Sequence, residues 1–474
     1  MLNSLLTGLK TQIGKDVNML KDLLVKYNRP GPRYTSYPPA NFFTPDFGAE
    51  EYKQALVNSN TEKPESISLY FHVPFCPQIC HFCGCNTDEM LKMSVVELYF
   101  KALLKEMDQV GALLDKNRKV TQVHWGGGTP NSVAIRFIEQ VMAKVNEMFT
   151  VAPNAEIAME CSPAYLSKSY LQKLRSLGFN RISIGVQDFR EDVLLAVNRA
   201  LPKYPIEEIV ADIRELGFEG VNMDLIYGLP LQTPESFRET VKRAIKIRPD
   251  RLVTFSYAHV PWVKAAQKML EEYGLPGPDE KLAMLLNGYH EMLAGGYVSI
   301  GMDHYALPSD SMAVAKKQNK LHRNFQGYCT QETTGQVYAF GASSISQLHG
   351  AYAQNAKTTA QYIKLINETG YAVERGYALN NNEKVIRQTI NEIMCNGILN
   401  FESLAASTGV SVDEVKEICN FNEQKLSEFI DDKLLTINNK SIQVSDDGMM
   451  VVRNIAMAFD PNLSENLNMY SKTI

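Results

Sequence analysis

Four of the chain's eight cysteines fall within ten residues, in the segment YFHVPFCPQICHFCGCNT: Cys76, Cys80, Cys83 and Cys85. The other four, Cys161, Cys329, Cys395 and Cys419, stand alone. In a reducing compartment a tight cluster reads as metal or redox chemistry, whereas isolated cysteines are usually small buried apolar residues. The spacing C-x3-C-x2-C supplies three thiolates, one short of a tetrahedral zinc site and one short of an all-cysteine four-iron cluster. A four-iron cluster on three thiolates leaves one iron open to a non-protein ligand. The amino and carboxylate groups of S-adenosylmethionine (SAM) can take that iron, which sets the sulfonium beside the cluster. One electron then breaks a C–S bond and frees a 5′-deoxyadenosyl radical, and the protein's part is to bind, orient and shield. Two alternatives stay open on spacing alone: a zinc ion, or a fully ligated cluster, each with Cys85 as fourth ligand. Phe82, inside the loop, is a candidate platform for adenine.

Further along, Gly126-Gly127-Gly128-Thr129-Pro130 has the backbone freedom to approach a ligand closely, or simply to turn. A phosphate loop is the competing reading, but the Gly-Lys-Ser/Thr ending is missing. Glu160, Gln187 and Asp224 fall at the ends of successive predicted strands. One such acid is often a cap or an ion-pair partner; three at matching ends suggest a shared mouth. Arg199 carries a planar fork suited to a carboxylate, or is an exposed helix arginine. His72, just before the cysteine loop, faces either the core or the mouth.

These residues need a scaffold, and the pattern supplies one. Strands are predicted at 67–73, 120–125, 155–161, 181–186, 220–226, 251–258 and 297–302, with amphipathic helices in the gaps. Strands alternating with helices imply an α/β fold with a parallel sheet. Six or so repeats suggest a barrel or open barrel, with its site at the C-terminal strand ends. Residues 303–356 are less regular and read as strands or loops that close over something. From about 380, helical patterns near 382–399, 401–407 and 412–429, a hairpin and a final helix give a winged-helix-like layout. Its mixed charges argue against DNA binding, and the overall net charge of −5 argues against a general nucleic-acid binder. No apolar run approaches the roughly 18 residues of a membrane span. The N-terminus lacks the form of a secretory signal, so a cytoplasmic protein is expected. Residues 1–33 hold six Lys or Arg against two Asp, a local net of +4.

The cysteine loop resembles the radical SAM superfamily, and within it the chain is similar to the oxygen-independent coproporphyrinogen III oxidases. The likeness runs from GPRYTSYP at 31–38, through HWGGGTP, GFNRISIGVQDF, NMDLIYGLPLQTPESF, YAH, GMDHYA and LHRNFQGY, to RNIAMAFD at 453–460. It implies a radical SAM partial (β/α)6-type barrel with an N-terminal extension and a mostly α-helical, winged-helix-like C-terminal domain. The expected divisions are 1–50, a substrate cover; 51–356, the catalytic barrel with its closing segment; and 357–474, a second cover. The resemblance implies one [4Fe–4S] cluster on Cys76, Cys80 and Cys83, and two SAM molecules. Tyr70, Phe82, Gly127, Gly128, Thr129, Glu160, Gln187, Arg199, Asp224, Ala258 and Ile345 should line the SAM sites. Cys85 and His72 are the candidate catalytic residues. His304 and His322 lie in matching blocks without an assigned role, and Cys161 stands where the resemblance implies an acid. Oxidative decarboxylation of two propionates of coproporphyrinogen III to vinyl groups is implied, with a low-potential donor such as flavodoxin or ferredoxin, in a monomer. Two related families, heme chaperones and heme-opening methyltransferases, are disfavoured by Cys85 and the GPRYTSYP block. Because the substrate carries four propionates, the basic N-terminal segment, with Arg29 and Arg33, is expected to steer or cover it; Phe325 and Gln326 are expected to wall its pocket.

Overall fold

The computed structural model describes residues 20–463 and 470, apart from 91 and 332–334; the expectations placed on residues 1–19 lie outside the described residues. A helix, α1 (Ala49–Ser59), precedes β1 (Ile67–Val73). Helices then alternate with strands: α2 (Met93–Gly111), β2 (Lys119–Gly127), α3 (Ile135–Met148), β3 (Thr150–Cys161), α4 (Lys168–Ser176), β4 (Arg181–Gln187), α5 (Ile206–Glu215), β5 (Gly220–Tyr227), α6 (Pro234–Ile247), β6 (Arg251–Ser256) and α7 (Pro278–Ala294). The helix periods do what the sequence predicts. Along α3, Phe137, Ile138, Val141, Met142 and Val145 are buried against the sheet, each contributing about 1.5–3 kcal/mol on leaving water. Helix α6 starts on a Thr233 cap that accepts from the Ser236 amide, has Pro234 in its first turn, and stops at Arg248 in the left-handed region (φ 62°).

Strands β1–β6 are parallel neighbours in chain order. The seventh predicted strand does not extend that series. It becomes β7 (Val298–Gly301), which pairs antiparallel with β8 (His304–Ala306), itself antiparallel to β6. The two-residue turn between β7 and β8 is too short for a crossover, so the chain must reverse. Residues 303–356, read from the sequence as strands or loops, hold six short strands and one helix among the described residues. After α8 (Ser311–Lys317) come the hairpin β9 (Leu321–Asn324) and β10 (Gly327–Thr330), then β11 (Gln336–Phe340), β12 (Ile345–Gln347) and β13 (Ala351–Asn355). Strand β11 lies parallel to β1 on its free side, so the sheet grows in both directions from the first strand. Past α9 (Thr359–Thr369), β14 (Val373–Ala378) completes the order β14-β13-β12-β11-β1-β2-β3-β4-β5-β6-β8-β7. The sheet therefore runs beyond residue 356, where the sequence placed a division, to Ala378.

The remainder is helical with a wing. Helix α10 (Asn381–Asn396) has a capping box of Asn380 and Glu383 and ends at Gly397 (φ 64°). It is followed by β15 (Ile398–Asn400), α11 (Phe401–Thr408), α12 (Val412–Ile418), β16 (Leu435–Ile437), β17 (Ser441–Val444) and α13 (Val452–Met457). A core of its own joins Ile390, Ile393, Phe429 and Ile455 to Leu20, Leu24 and Tyr27. The N-terminal segment thus packs on the C-terminal module. Lys26 and Arg29 form ion pairs with Asp432 and Glu428, so Arg29 faces the C-terminal module's acids rather than an incoming anion.

Candidate active site

Register decides which side chains share the barrel interior. Pairing aligns Tyr70 with His124, His124 with Ala158, Glu160 with Ser183, Gly185 with Asp224, Asp224 with Val253 and Val253 with His304. Directly paired residues point to the same face of a pleated sheet. Tyr70, His124, Glu160, Asp224 and His304, on five strands, therefore form one inner layer. Below it, Gln122, Glu156, Arg181, Asn222 and Arg251 form a second, in which Glu156 pairs with Arg181 and Arg251, and both arginines reach Asp310. Asp310 also caps α8, so this charged layer ties the helix to the barrel floor.

The cysteine loop leaves β1 at the opposite, C-terminal end of the strands. Its seat depends on the glycines after β2. The Gly128 amide donates to Val73 O (2.7 Å) and that of Thr129 to Phe75 O (2.9 Å). A Cβ on Gly128 would lie 2.7 Å from Pro74 O; one on Gly127 (φ 113°) would lie 2.7 Å from the His72 ring, and one on Gly126 as close to the Glu160 carboxylate. Close approach is thus the role of all three, without a phosphate in the argument. The Thr129 hydroxyl donates to Cys76 Sγ (3.3 Å) and Arg199 Nη1 to Cys80 Sγ (3.5 Å). Lys264 Nζ holds Cys85 O (2.7 Å) and Gln267 Nε2 holds Phe82 O (3.1 Å), so the segment after β6 clasps the loop. Phe82 packs against a small cluster that includes Val197, Ile226 and Tyr257.

Burial pushes the Cys76 thiol up to about 11, and also raises Cys80 against the pull of Arg199. Cys83 is held down to about 6, first by a hydrogen bond with Cys85, and that same bond pushes Cys85 well above its ordinary value. Three thiols with cationic and hydroxyl donors beside two of them form a donor set that fits an iron–sulfur cluster. Among the described residues, no three His, Cys, Asp or Glu side chains converge as a single-ion site. A four-iron cluster is wider and needs its thiolates further apart.

The SAM candidates are brought to the same end of the barrel. Glu160 accepts from His124 Nε2 (3.0 Å) and the Gly127 amide (3.3 Å). Gln187 sits in the left-handed region (φ 69°), and its Oε1 is buried without a hydrogen-bond partner. An orphaned acceptor of this kind fits a ligand with hydroxyl or amino donors. Asp224 lies three residues before the end of its strand rather than at the tip; burial first, then Glu160, pushes it up to about 7. Tyr70 stacks on His124 at 6.0 Å and its hydroxyl contacts His72 Nδ1 at 3.1 Å. His72 Nε2 meets Asn86 O (3.0 Å), joining β1 to the far end of the cysteine loop, and burial lowers its pKa. Ala258 is exposed on the segment after β6, where its carbonyl accepts from Gln267. Ile345, on β12, packs near Phe325 and Tyr352. Phe325 and Gln326 form the tip of the β9–β10 hairpin, and Arg33 is exposed where the N-terminal segment crosses toward it. His124, Lys264 and Gln267 were missed. His124 alone had a visible signal, its two-residue spacing from Gly126 on the inner face.

These features define a radical SAM enzyme: an open parallel barrel whose first strand delivers a three-cysteine loop to the mouth. A model of the radical SAM superfamily matches residues 70–244. The oxygen-independent coproporphyrinogen III oxidase of Synechocystis sp. is 39% identical over 466 residues, covering 97% of this chain and 98% of that protein. That of Escherichia coli K12 is 40% identical over 449 residues, covering 94% and 96%. A solved structure, coproporphyrinogen III oxidase (HemN) from Escherichia coli, a radical SAM enzyme, matches with a TM-score of 0.85 at 38% identity, over 93% of this chain and 98% of that one. The chain belongs to the oxygen-independent coproporphyrinogen III oxidases.

Proposed function

We propose that the protein converts coproporphyrinogen III to protoporphyrinogen IX by oxidative decarboxylation of two propionate side chains to vinyl groups. The observation that carries this is the 40% identity to the Escherichia coli enzyme over 94% of the chain, a span long enough to take in the cysteine loop and the barrel. A [4Fe–4S] cluster with SAM, when bound, supplies the carbon radical that removes hydrogen from a propionate β-carbon. Cys76, Cys80 and Cys83 hold the cluster, and Arg199 offsets the negative charge that the thiolates add. Glu160, Gln187, Asp224, Tyr70, Phe82, Gly127, Gly128, Thr129, Arg199, Ala258 and Ile345 hold two SAM molecules, consistent with two propionates reacted. His72 fixes the loop's end, and Cys85, placed beside Cys83, acts close to the substrate. The hairpin and the N-terminal segment exclude water, which a primary carbon radical requires.

A low-potential flavodoxin- or ferredoxin-type donor reduces the cluster, and the enzyme works as a cytoplasmic monomer. No described helix is long and apolar enough to cross a membrane. The test is anaerobic reconstitution followed by assay with coproporphyrinogen III and a reductant, with iron, 5′-deoxyadenosine and protoporphyrinogen counted together. Vinyl product formed with about two 5′-deoxyadenosines per substrate is expected. Tight heme binding without turnover would overturn the reading.

A further inference from the structure

His304 belongs to the inner layer, beside Asp224 and across the barrel from the cysteine loop, and nothing so far gives it a task. Its Nδ1 is 2.7 Å from Asp303 Oδ1, and 16% and 22% of the two side chains remain exposed. Although burial alone would raise the Asp303 carboxyl, His304 and Arg323 outweigh it and hold the group below its usual range. Two further contacts fix the ring: the edge of Tyr328 at 5.1 Å and that of Phe255 at 6.2 Å. Nε2 points at the hairpin turn, and a Cβ on Gly327 (φ 120°) would stand 3.4 Å from it. Glycine there keeps the outer ring nitrogen accessible.

Tyr328 also carries the Arg323 guanidinium, 5.2 Å from its ring centre, and Arg323 shares Asp303 with His304. Arg323 is 9% exposed and its Nε has no hydrogen-bond partner, an unusual state for a buried guanidinium. Its Nη1 donates to Arg33 O (2.8 Å), while Arg453 takes Pro32 O (3.2 Å) and Gly31 O. Three successive carbonyls of the Gly31-Pro32-Arg33 segment are thus held by buried arginines. The Arg33 side chain is exposed on a fixed backbone, near enough to influence buried Tyr227 and Arg453.

We propose that His304 Nε2, Arg323 and Arg33 form a subsite for one propionate carboxylate of the porphyrinogen, with Asp303 as the positioning residue that orients the imidazole. This rests on the activity proposed above and goes beyond it by naming the group that anchors the macrocycle opposite the cysteine loop. A carboxylate suits the site because the two arginines outnumber Asp303, and an anion would satisfy the orphaned Nε.

The experiment measures binding of coproporphyrin III and of its uncharged tetraamide to the anaerobically reconstituted enzyme, by fluorescence quenching. It is paired with KM and kcat for coproporphyrinogen III. His304→Gln and Arg323→Gln are expected to weaken the tetra-acid roughly ten- to a hundredfold while changing the tetraamide little, so that selectivity collapses. KM should rise more than kcat falls. Asp303→Ala should lose the same selectivity, and Asp303→Asn, which keeps an acceptor for Nδ1–H, should recover part of it; iron content and thermal midpoint report folding. Wild-type selectivity in His304→Gln and Asp303→Ala, with turnover by the parent enzyme intact, overturns the subsite alone. A parent enzyme that neither binds nor converts the tetrapyrrole overturns the proposed activity itself.

Discussion

Cys85 is where a single side chain divides two roles. It is hydrogen bonded to Cys83 yet exposed at the mouth, and three thiols suffice for the cluster. Cys85→Ser is expected to keep a full complement of iron and its absorbance while product formation falls at least a hundredfold. Loss of iron would make Cys85 a ligand after all. Asp224 carries a second residue-scale prediction. Its carboxyl is pushed up to about 7 by burial and by Glu160, so half of it is protonated near neutrality. If the ionised form accepts from SAM, apparent affinity should rise about tenfold between about pH 6 and about pH 8, with a proton released on binding. Titration calorimetry in two buffers of different ionisation enthalpy measures both, and Asp224→Asn should flatten the dependence.

At the scale of elements, the barrel floor is held by charge as well as by apolar packing. Burial alone would raise Glu156, but Arg251 and Arg181 overcome it and hold the group at about 2. An acid held down in the folded state adds stability that is complete above its unfolded value and is lost as pH falls through the folded one. The contribution should therefore disappear between pH 4.5 and about 2. Glu156→Gln is expected to cost on the order of 3 kcal/mol at neutral pH, because two buried guanidiniums lose their shared partner. The variant should also lose part of the acid dependence in denaturant unfolding. An unchanged midpoint and acid slope would show that Asp310 alone neutralises both arginines. The glycine triplet belongs to this scale too: its Cβ clashes come from His72 of β1, the Pro74-Phe75 segment that follows it, and Glu160 of β3.

At the scale of the whole molecule, two segments far apart in the chain, around residues 27–37 and 454–460, hold each other. Tyr34 and Tyr37 each donate to a different oxygen of Asp460, both at 3.0 Å, and Asn454 Nδ2 reaches Tyr27 O at 2.9 Å. The first and last blocks of the family likeness, GPRYTSYP and RNIAMAFD, are thus partners in space. Asp460→Ala leaves the Tyr34 hydroxyl unpaired and the Tyr37 hydroxyl with only the Asn462 amide donating to it (3.1 Å), and is expected to cost about 2 kcal/mol or more. Differential scanning fluorimetry should record a lower thermal midpoint, with the cluster retained. The same packing sets what truncation would do. Removing residues 1–28 takes Leu20, Leu24 and Tyr27 out of the C-terminal module's core, so lost stability accompanies any loss of substrate capture.

Much of this was legible before any coordinates, and for a physical reason. Ligand spacing, helix periodicity and strand patterning are local, so C-x3-C-x2-C, the six βα units and the wing could be read along the chain. What the tertiary structure decided was non-local. The reversal at β7, the parallel seating of β11 beside β1, and the run of the sheet to Ala378 depend on pairings between distant strands. So do the pairing of Arg29 with Glu428, the use of the glycines as contact surfaces and the placing of Gly327 against His304 Nε2. Each depends on which distant side chain arrives opposite, and spacing along one chain carries no record of that. The residues able to do chemistry were visible in the sequence; their partners were supplied by the fold.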